Sequence, residues 1–314
     1  PVDVISGPLI LLAATGIGSG NAIEINATTL DAHNTMSGAI ELNEADNIQV
    51  TRILQDEDDS ITLVAGGIID VLAAGTGVLI DDNSNGDGNA DILLQSTGGR
   101  ILVDQIVRND SDHADANITL DAAGVNSDVI VNAAVTTSAG GITIQADDSV
   151  QFTVAGSITA NGAGDVIVNA NRANTIGNDG DQILMADGAV INGGTGTVTL
   201  TALGSNSGHI TLGSVQTNNA TVNAVVITTD SGAIIDGGNT HIDIIANSAG
   251  ARTTLSAAQG IGSGNSIETR IAILNAHNTL SGSIEINETD DVQVQRILQD
   301  EDDSITLVAG GIID

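Results

Sequence analysis

The chain contains a long internal duplication, which constrains its fold more than any other feature of the sequence. Residues 16–70 are repeated as residues 260–314, at a constant offset of 244 residues and with 41 identities in 55 positions. The closing segment, Arg296 to Asp314, repeats Arg52 to Asp70 without a change. The sequence therefore predicts a tandem array, of which residues 16–259 are one full 244-residue unit and residues 260–314 begin the next.

A shorter rhythm lies inside the unit. Runs of apolar, polar and apolar residues recur between turns rich in Gly, Asn, Asp and Ser. These runs are Ile40–Leu42, Ile61–Leu63, Ile101–Val103, Ile118–Leu120, Ile142–Ile144, Val166–Val168, Val198–Leu200 and Ile242–Ile244. A period of two is typical of half-buried strands. The runs mostly recur at a regular short interval, and regular repeats of such a length predict a solenoid.

The predicted fold is all-β: a parallel β-helix (β-solenoid) that runs as one continuous segment through residues 1–314. Each coil of roughly 17–24 residues contributes two or three short strands that pair with the coils above and below, about 4.8 Å away. Roughly eleven such coils would make one unit, and Gly at the corners would supply the positive φ angles of tight bends. An array of β-sandwich domains is the alternative.

The near absence of aromatic residues favours the solenoid over the sandwich. The chain has one Phe (Phe152), no Trp and no Tyr, although 41% of its residues are hydrophobic. Aromatic side chains supply much of the buried area of irregular globular cores, whereas stacked identical coils can be filled by Ile, Val and Leu. The same apolar content is too high for a disordered acidic tail.

The charge of the chain excludes several classes of partner. The formal net charge is −33, and the seven basic residues are all Arg. Nucleic-acid binding depends on Lys and Arg that neutralise phosphates, so we expect none, and binding to anionic membrane surfaces is disfavoured in the same way. No apolar stretch approaches the ~20 residues that span a bilayer, so we expect no membrane insertion. Divalent cations are the expected partners, and charge also keeps a long β-structure soluble.

Related phrases recur along the chain: SITLVAGGIID (60–70), ANITLDAAG (116–124), GGITIQADDSV (140–150) and GTVTLTALGSNSGHITLGSVQT (196–217). They resemble phrases of filamentous-haemagglutinin-like large exoproteins and related giant bacterial surface adhesins. The resemblance implies a β-solenoid that is exported to the cell surface and serves adhesion, matrix formation or contact-dependent interaction. The lack of Cys is compatible with export, because a large repetitive fold does not need disulfides.

One segment resembles the DxDxDG loops that bind calcium. Oxygen ligands at alternate positions wrap a hard cation there, and Gly makes the sharp turn. The expected ligands are Asp81, Asn83, Asn85, Asp87, Asn89 and Asp91. The segment departs from the pattern at Asn83, where Asp is usual, and at Leu94, where the twelfth position usually holds Glu. A plain Asn/Gly/Asp turn between strands is the alternative.

The densest acidic runs are a second candidate for cation binding. They occupy the same position in the two copies and supply Asp56, Asp58, Asp59, Asp300, Asp302 and Asp303. Adjacent carboxylates repel one another unless cations bridge them. A solvated acidic loop is the alternative interpretation.

An enzymatic role is the least favoured interpretation, and we predict that the chain is not an enzyme. Parallel β-helices include polysaccharide-active enzymes, in which paired carboxylates act on sugars. Their grooves normally carry aromatic and basic residues, which this chain almost lacks. His33 and His277 occupy equivalent positions, as do Arg52 and Arg296. A catalytic site is expected once per chain, whereas these residues recur with the unit.

The predicted function is therefore structural and adhesive: a stiff extracellular fibre segment of a giant repetitive surface protein. Its expected partners are its own tandem units and neighbouring rods, and Ca²⁺ is the ion expected to stabilise or bundle them. The alternative is an adhesin stalk that presents a ligand-binding tip outside this chain.

Overall fold

The fold is an all-β parallel solenoid, as the sequence predicts. A computed structural model describes residues 2–81, 90–172, 181–204 and 208–314. It contains 31 strands, all paired in parallel, stacked in about 12 turns. The described residues contain no helix, and so none that is long and apolar enough to cross a membrane.

The strands of the first half of the chain are β1 (Val4–Ala13), β2 (Ile23–Asn34), β3 (Ile40–Glu44), β4 (Ile48–Gln55), β5 (Ile61–Ala65), β6 (Ile69–Val71), β7 (Gly77–Ile80), β8 (Ile92–Ser96), β9 (Ile101–Val103), β10 (Val107–Asn109), β11 (Ile118–Ala122), β12 (Val129–Val131), β13 (Ala134–Thr137), β14 (Ile142–Ala146) and β15 (Val150–Phe152). Those of the second half are β16 (Ser157–Ala160), β17 (Val166–Ala170), β18 (Ile183–Met185), β19 (Val190–Asn192), β20 (Val198–Ala202), β21 (Ile210–Leu212), β22 (Ser214–Gln216), β23 (Val225–Thr229), β24 (Ile234–Asp236), β25 (Ile244–Ala246), β26 (Arg252–Ala257), β27 (Ile267–Ile271), β28 (Ile273–Asn278), β29 (Ile284–Glu288), β30 (Gln293–Gln299) and β31 (Ile305–Ala309).

Each coil of the central stack has three strands, which define three faces of the solenoid. Face 1 is the ladder β5, β8, β11, β14, β17, β20, β23 and β26. Face 2 is the ladder β6, β9, β12, β15, β18, β21 and β24. Face 3 is the ladder β7, β10, β13, β16, β19, β22 and β25.

The core consists of aliphatic columns that run along these ladders. On face 1, Ile61 pairs with Ile92, which pairs with Ile118 and then Ile142, and all four side chains are buried. Alternate residues of most strands, such as β5 and β8, point outwards, as in the half-buried strands that the sequence pattern predicts. The lone aromatic residue, Phe152, fills a position in such a column on face 2.

The coils are longer on average than the sequence spacing suggests. The step from Ile40 to its partner Ile61 falls within the predicted coil length. The steps from Ile61 to Ile92 and from Val166 to Val198 both exceed it. Fewer coils than the expected eleven therefore make up one unit.

The two copies of the repeated segment lie on different faces. Nine successive pairings lead from β5 along face 1 through β8, β11, β14, β17, β20, β23, β26 and β28 to β30. β31, whose sequence copies β5, follows β30 and pairs with β29. β29 lies on face 2, because Ile284 pairs with Ile261, which pairs with Ile234 of β24. One 244-residue unit therefore spans nine full turns and one further face, which is a third of a turn.

Candidate functional site

The acidic run of the first copy is tied to the coil below it. His33 Nε2 lies 2.8 Å from Asp56 Oδ2. Asp59 Oδ2 accepts a hydrogen bond of 2.6 Å from the backbone N–H of Gly38. Asp58 is half-buried. Within the part of the chain that the structure describes, no three carboxylates of this run come within 4.8 Å of one another.

The second copy of the run rebuilds the same contacts. His277 Nε2 lies 3.0 Å from Asp300 Oδ2, and Asp303 Oδ2 accepts a 2.9 Å hydrogen bond from the N–H of Gly282. Asp302 is exposed. The His residues thus lie beside the acidic runs in both copies, where they bind neighbouring coils together. Cation binding by the runs stays a prediction.

The predicted calcium loop is described only at its two ends. Four of its six expected ligands lie outside the described residues: Asn83, Asn85, Asp87 and Asn89. Asp81 is exposed. Asp91 Oδ1 accepts a 2.9 Å hydrogen bond from the N–H of Asn117 on the next coil, so this carboxylate already binds backbone.

A third acidic group, which the sequence did not reveal, is formed by Asp236, Asp243 and Glu268. One carboxylate oxygen from each residue lies within 4.8 Å of the other two, and this is the single group of its kind among the described residues. We refer to these three residues as the acidic triad. Asp236 ends β24 on face 2, Asp243 lies just before β25 on face 3, and Glu268 lies in β27 on the following coil.

Backbone contacts hold the triad in place. The N–H of Asp243 donates to the Glu268 carbonyl at 3.0 Å, and the N–H of Glu268 donates to Asp243 Oδ2 at 2.9 Å. Asp236 Oδ1 accepts a 2.7 Å hydrogen bond from the N–H of Gly238, and the Asn265 amide donates to Asp236 Oδ2. These hydrogen bonds fix the carboxylates of Asp236 and Asp243, and the coil register places the Glu268 backbone beside Asp243.

Two oxygens of the triad lack a hydrogen-bond donor. Asp243 is 1% exposed, and its Oδ1 atom receives no hydrogen bond from the described residues. Glu268 Oε2 is likewise buried and without a donor among them. No described Arg or His forms an ion pair with the three carboxyl groups. Buried polar atoms are nearly always paired, so these two oxygens mark a place for a positively charged ligand or a shared proton.

The electrostatics of the triad agree with its geometry. Burial raises the pKa of Asp243 to about 9, and the nearby charges of Asp236 and Glu268 act in the same direction. Burial also raises the pKa of Glu268, again helped by Asp236. Loss of hydration disfavours the ionised form of a carboxyl group, and a like charge adds to that effect. The three carboxyl groups can therefore all be ionised only if a bound cation compensates their charge.

Glu24 of the first copy and Asp3, which precedes that copy, provide a comparison. Glu24 is the equivalent of Glu268, and Asp3 contacts it as Asp243 contacts Glu268: the N–H of Asp3 donates to the Glu24 carbonyl at 2.7 Å, and the N–H of Glu24 donates to Asp3 Oδ2 at 3.2 Å. Asp3 is exposed, and hydrogen bonds with Glu24 lower its pKa. The same backbone arrangement therefore gives opposite pKa shifts, because only Asp243 is buried.

The sequence pattern misplaced Asp243. The run Ile242–Ile244 predicts an outward-facing residue at its centre, but β25 begins at Ile244 and Asp243 is buried at the preceding bend. Asp236 and Glu268 are separated by a whole coil, and coil register cannot be read from residue spacing when coil lengths vary.

Comparisons with protein-family models, curated proteins and solved structures found no match to this chain.

Proposed function

We propose that this chain is a segment of a stiff, acidic, extracellular rod within a giant repetitive surface protein. Its role is mechanical: tandem units extend the protein from the cell surface, and the rod serves adhesion directly or as the stalk of a binding tip. The observation that carries this proposal is that the second copy of the repeated segment continues the stack of the first and remakes its contacts.

The remade contacts include buried polar ones. Asn34 Nδ2 donates to the carbonyl of Gly38 at 2.7 Å, and Asn278 Nδ2 donates to that of Gly282 at the same distance. The strand pairing also shifts at equivalent points, at Leu30 in the first copy and at Leu274 in the second. A unit whose ends fit the ends of its copy is suited to a tandem array, in which each repeat contacts its neighbours.

Each coil completes the core of the one before it. Ile61 is fully buried beneath Ile92, whereas the equivalent Ile305 on the last strand is 47% exposed. Fully burying an exposed aliphatic side chain stabilises a fold by about 1.5–3 kcal/mol, so covering the exposed half of Ile305 contributes about half of that. Joining units end to end therefore adds core without adding open strand edges, which otherwise invite pairing with foreign chains.

The surface chemistry supports a location outside the cell. The net charge of −33 keeps a long β-structure dispersed. The absence of Lys and the presence of only seven Arg leave few cleavage points for trypsin-like proteases. The resemblance of phrases such as SITLVAGGIID (60–70) to those of surface exoproteins favours the same setting.

Labelling of intact cells tests this proposal. Antibodies raised against the 314-residue chain are applied to cells that produce the parent protein, and gold conjugates are imaged by electron microscopy. We expect gold along filaments that project from unpermeabilised cells. Labelling that requires permeabilisation would contradict an extracellular rod.

Lateral association is a separate part of the proposal. The acidic faces of neighbouring rods repel one another, and Ca²⁺ that bridges carboxylates would reverse this repulsion. We expect the purified chain to sediment as bundles in calcium and as single rods in excess chelator. Equal bundling under both conditions would contradict calcium bridging.

A further inference from the structure

We propose that Asp236, Asp243 and Glu268 bind one calcium ion at the junction between successive 244-residue units. Asp236 and Asp243 belong to the end of the unit formed by residues 16–259, and Glu268 belongs to the start of the next. The site depends on the repeat and on the coil register, and so it is independent of the cellular role proposed above.

The first argument is the convergence of carboxylates at a buried position. Three carboxylate oxygens lie within 4.8 Å of one another although they come from three strand ends on two coils. Asp236 and Asp243 are 7% and 1% exposed, so water cannot screen their mutual repulsion fully. Buried charges in proteins are normally paired or coordinate metals.

The second argument is independent of the number of acids. Asp243 Oδ1 is buried and has no donor among the described residues, and Glu268 Oε2 is in the same state. The other oxygen of Asp243 is held by the Glu268 N–H, which fixes the side chain in place. A cation bound by the triad would satisfy both open oxygens at once.

The ligand set favours calcium among the common divalent cations. All three groups are carboxylates, and hard cations prefer oxygen ligands. Calcium accepts six to eight oxygens in irregular geometry, whereas magnesium demands near-ideal octahedral coordination. The side chains of Asn265 and Asn239 add amide oxygens beside Asp236. Asn265 Nδ2 donates a 3.1 Å hydrogen bond to Asn239 Oδ1.

A cation here would bind the units together. Asp236 and Asp243 lie on one coil and Glu268 on the next, so the ion would link the two coils through side chains in addition to the backbone ladder. Its loss would leave three acids in contact or a proton shared between Asp243 and Glu268. The experiment must therefore distinguish a bound calcium ion from a proton shared between Asp243 and Glu268.

The test is calcium titration of four versions of the chain by calorimetry: the natural sequence, Asp243→Asn, Glu268→Gln and Glu24→Gln. Glu24→Gln is the matched control, because Glu24 occupies the equivalent position but has no third carboxylate in the described structure. Since other acidic segments offer further calcium sites, the comparison counts bound ions. We expect Asp243→Asn and Glu268→Gln each to bind one calcium fewer than the natural chain, and Glu24→Gln to bind the same number. Equal numbers in all four chains would overturn the proposal in favour of the shared proton.

Thermal unfolding separates a lost ligand from a lost structural contact. In chelator, Asp243→Asn should unfold at a temperature no lower than the natural chain, because the amide removes a buried acid. In calcium it should unfold at a lower temperature. If Asp243→Asn lowers the unfolding temperature by the same amount in calcium and in chelator, Asp243 has only a structural role and the proposal is overturned. Glu268→Gln, at a half-buried position, gives the same comparison if Asp243→Asn does not fold.

Discussion

Buried Asn residues fasten the turns of the solenoid to its coils. Asn34 is fully buried and uses its whole side-chain amide. Nδ2 donates to the carbonyls of Ser37 and Gly38 and to Gln55 Oε1, while Oδ1 accepts from the N–H of Gly16 at 2.9 Å. One side chain thus joins its own turn to the coils on either side, and the repeat preserves it as Asn278.

Replacing this side chain should weaken the fold measurably. Asn34→Ala leaves the Gly16 N–H and the Gly38 carbonyl without partners, and each such loss costs about 1–3 kcal/mol. We expect a lower urea midpoint, followed by circular dichroism. The control is Asn43→Ala, at an exposed position of β3, which should change the midpoint little. Equal midpoints for the two variants would show that the buried amide contributes nothing.

Asp128 predicts a pH dependence with a defined sign. Burial raises its pKa above the ordinary 3.8, and the charge of Asp148 adds to this effect. The folded state therefore holds this proton more tightly than the unfolded chain does. The resulting loss of stability is absent below pH 3.8, grows as the pH rises towards the folded-state pKa, and is complete above it.

Asp128→Asn should accordingly stabilise the chain at pH 7 and not at pH 3.5. The amide oxygen can still accept the 3.1 Å hydrogen bond from the Ser149 N–H. The measurement is the denaturant midpoint of variant and natural chain at both pH values. Asp115→Asn, at an exposed position, is the control and should have little effect at either pH. A gain at pH 3.5 as large as that at pH 7 would contradict the argument.

At the scale of the strands, the sequence revealed one face of the solenoid better than the other two. Most of the runs, such as Ile61–Leu63, Ile142–Ile144 and Val198–Leu200, lie on face 1, where strands have five or six residues. Faces 2 and 3 are built largely from strands of three or four residues, which are too short to show a period. The fold class could therefore be predicted, but the coil lengths and the register that forms the acidic triad could not.

Several corner glycines have a role that the sequence did not reveal. Gly140, Gly141, Gly164 and Gly196 lie at the corner between faces 3 and 1, and none of these four has a positive φ. They are required because adjacent coils approach closely there. A Cβ on Gly164 would lie 2.2 Å from the Gly140 carbonyl carbon, and one on Gly196 would lie 2.2 Å from the Gly164 carbonyl oxygen.

Gly164→Ala should therefore force two coils apart. Backbone atoms of the neighbouring coil cannot move as a side chain can, and overpacking of this kind costs about 1–3 kcal/mol. We expect faster amide hydrogen exchange in β14 and β17 by mass spectrometry, since solenoids open locally. Gly7→Ala is the control: its Cβ would lie 3.9 Å from the nearest atom, Thr28 Oγ1. Unchanged exchange in β14 and β17 would contradict close backbone packing as the reason for glycine.

At the scale of the whole molecule, each unit contains nine full turns and one additional face. Each repeated feature therefore lies one face further around the rod axis than its copy in the preceding unit. β4 pairs through Arg52–Gln55 with β7 on face 3, but its copy β30 continues face 1 through β28. Each unit thus advances repeated features by one of three faces. Along an array, features such as the acidic run would return to the same face only after three units, so that no side of the rod carries all of them.

An antibody against the repeated segment tests this rotation directly. Arg52–Asp70 and Arg296–Asp314 are identical in sequence, so one Fab fragment raised to this segment should bind each chain twice. In negative-stain images the two Fabs should lie about 45 Å apart along the rod, from nine and one-third turns of about 4.8 Å. Viewed along the rod axis, one Fab should be rotated relative to the other. The expected angle is the twist that the stack accumulates over one unit plus about a third of a turn. A unit of whole turns would separate the two Fabs by the accumulated twist alone. A rotation equal to that twist would therefore contradict the extra third of a turn.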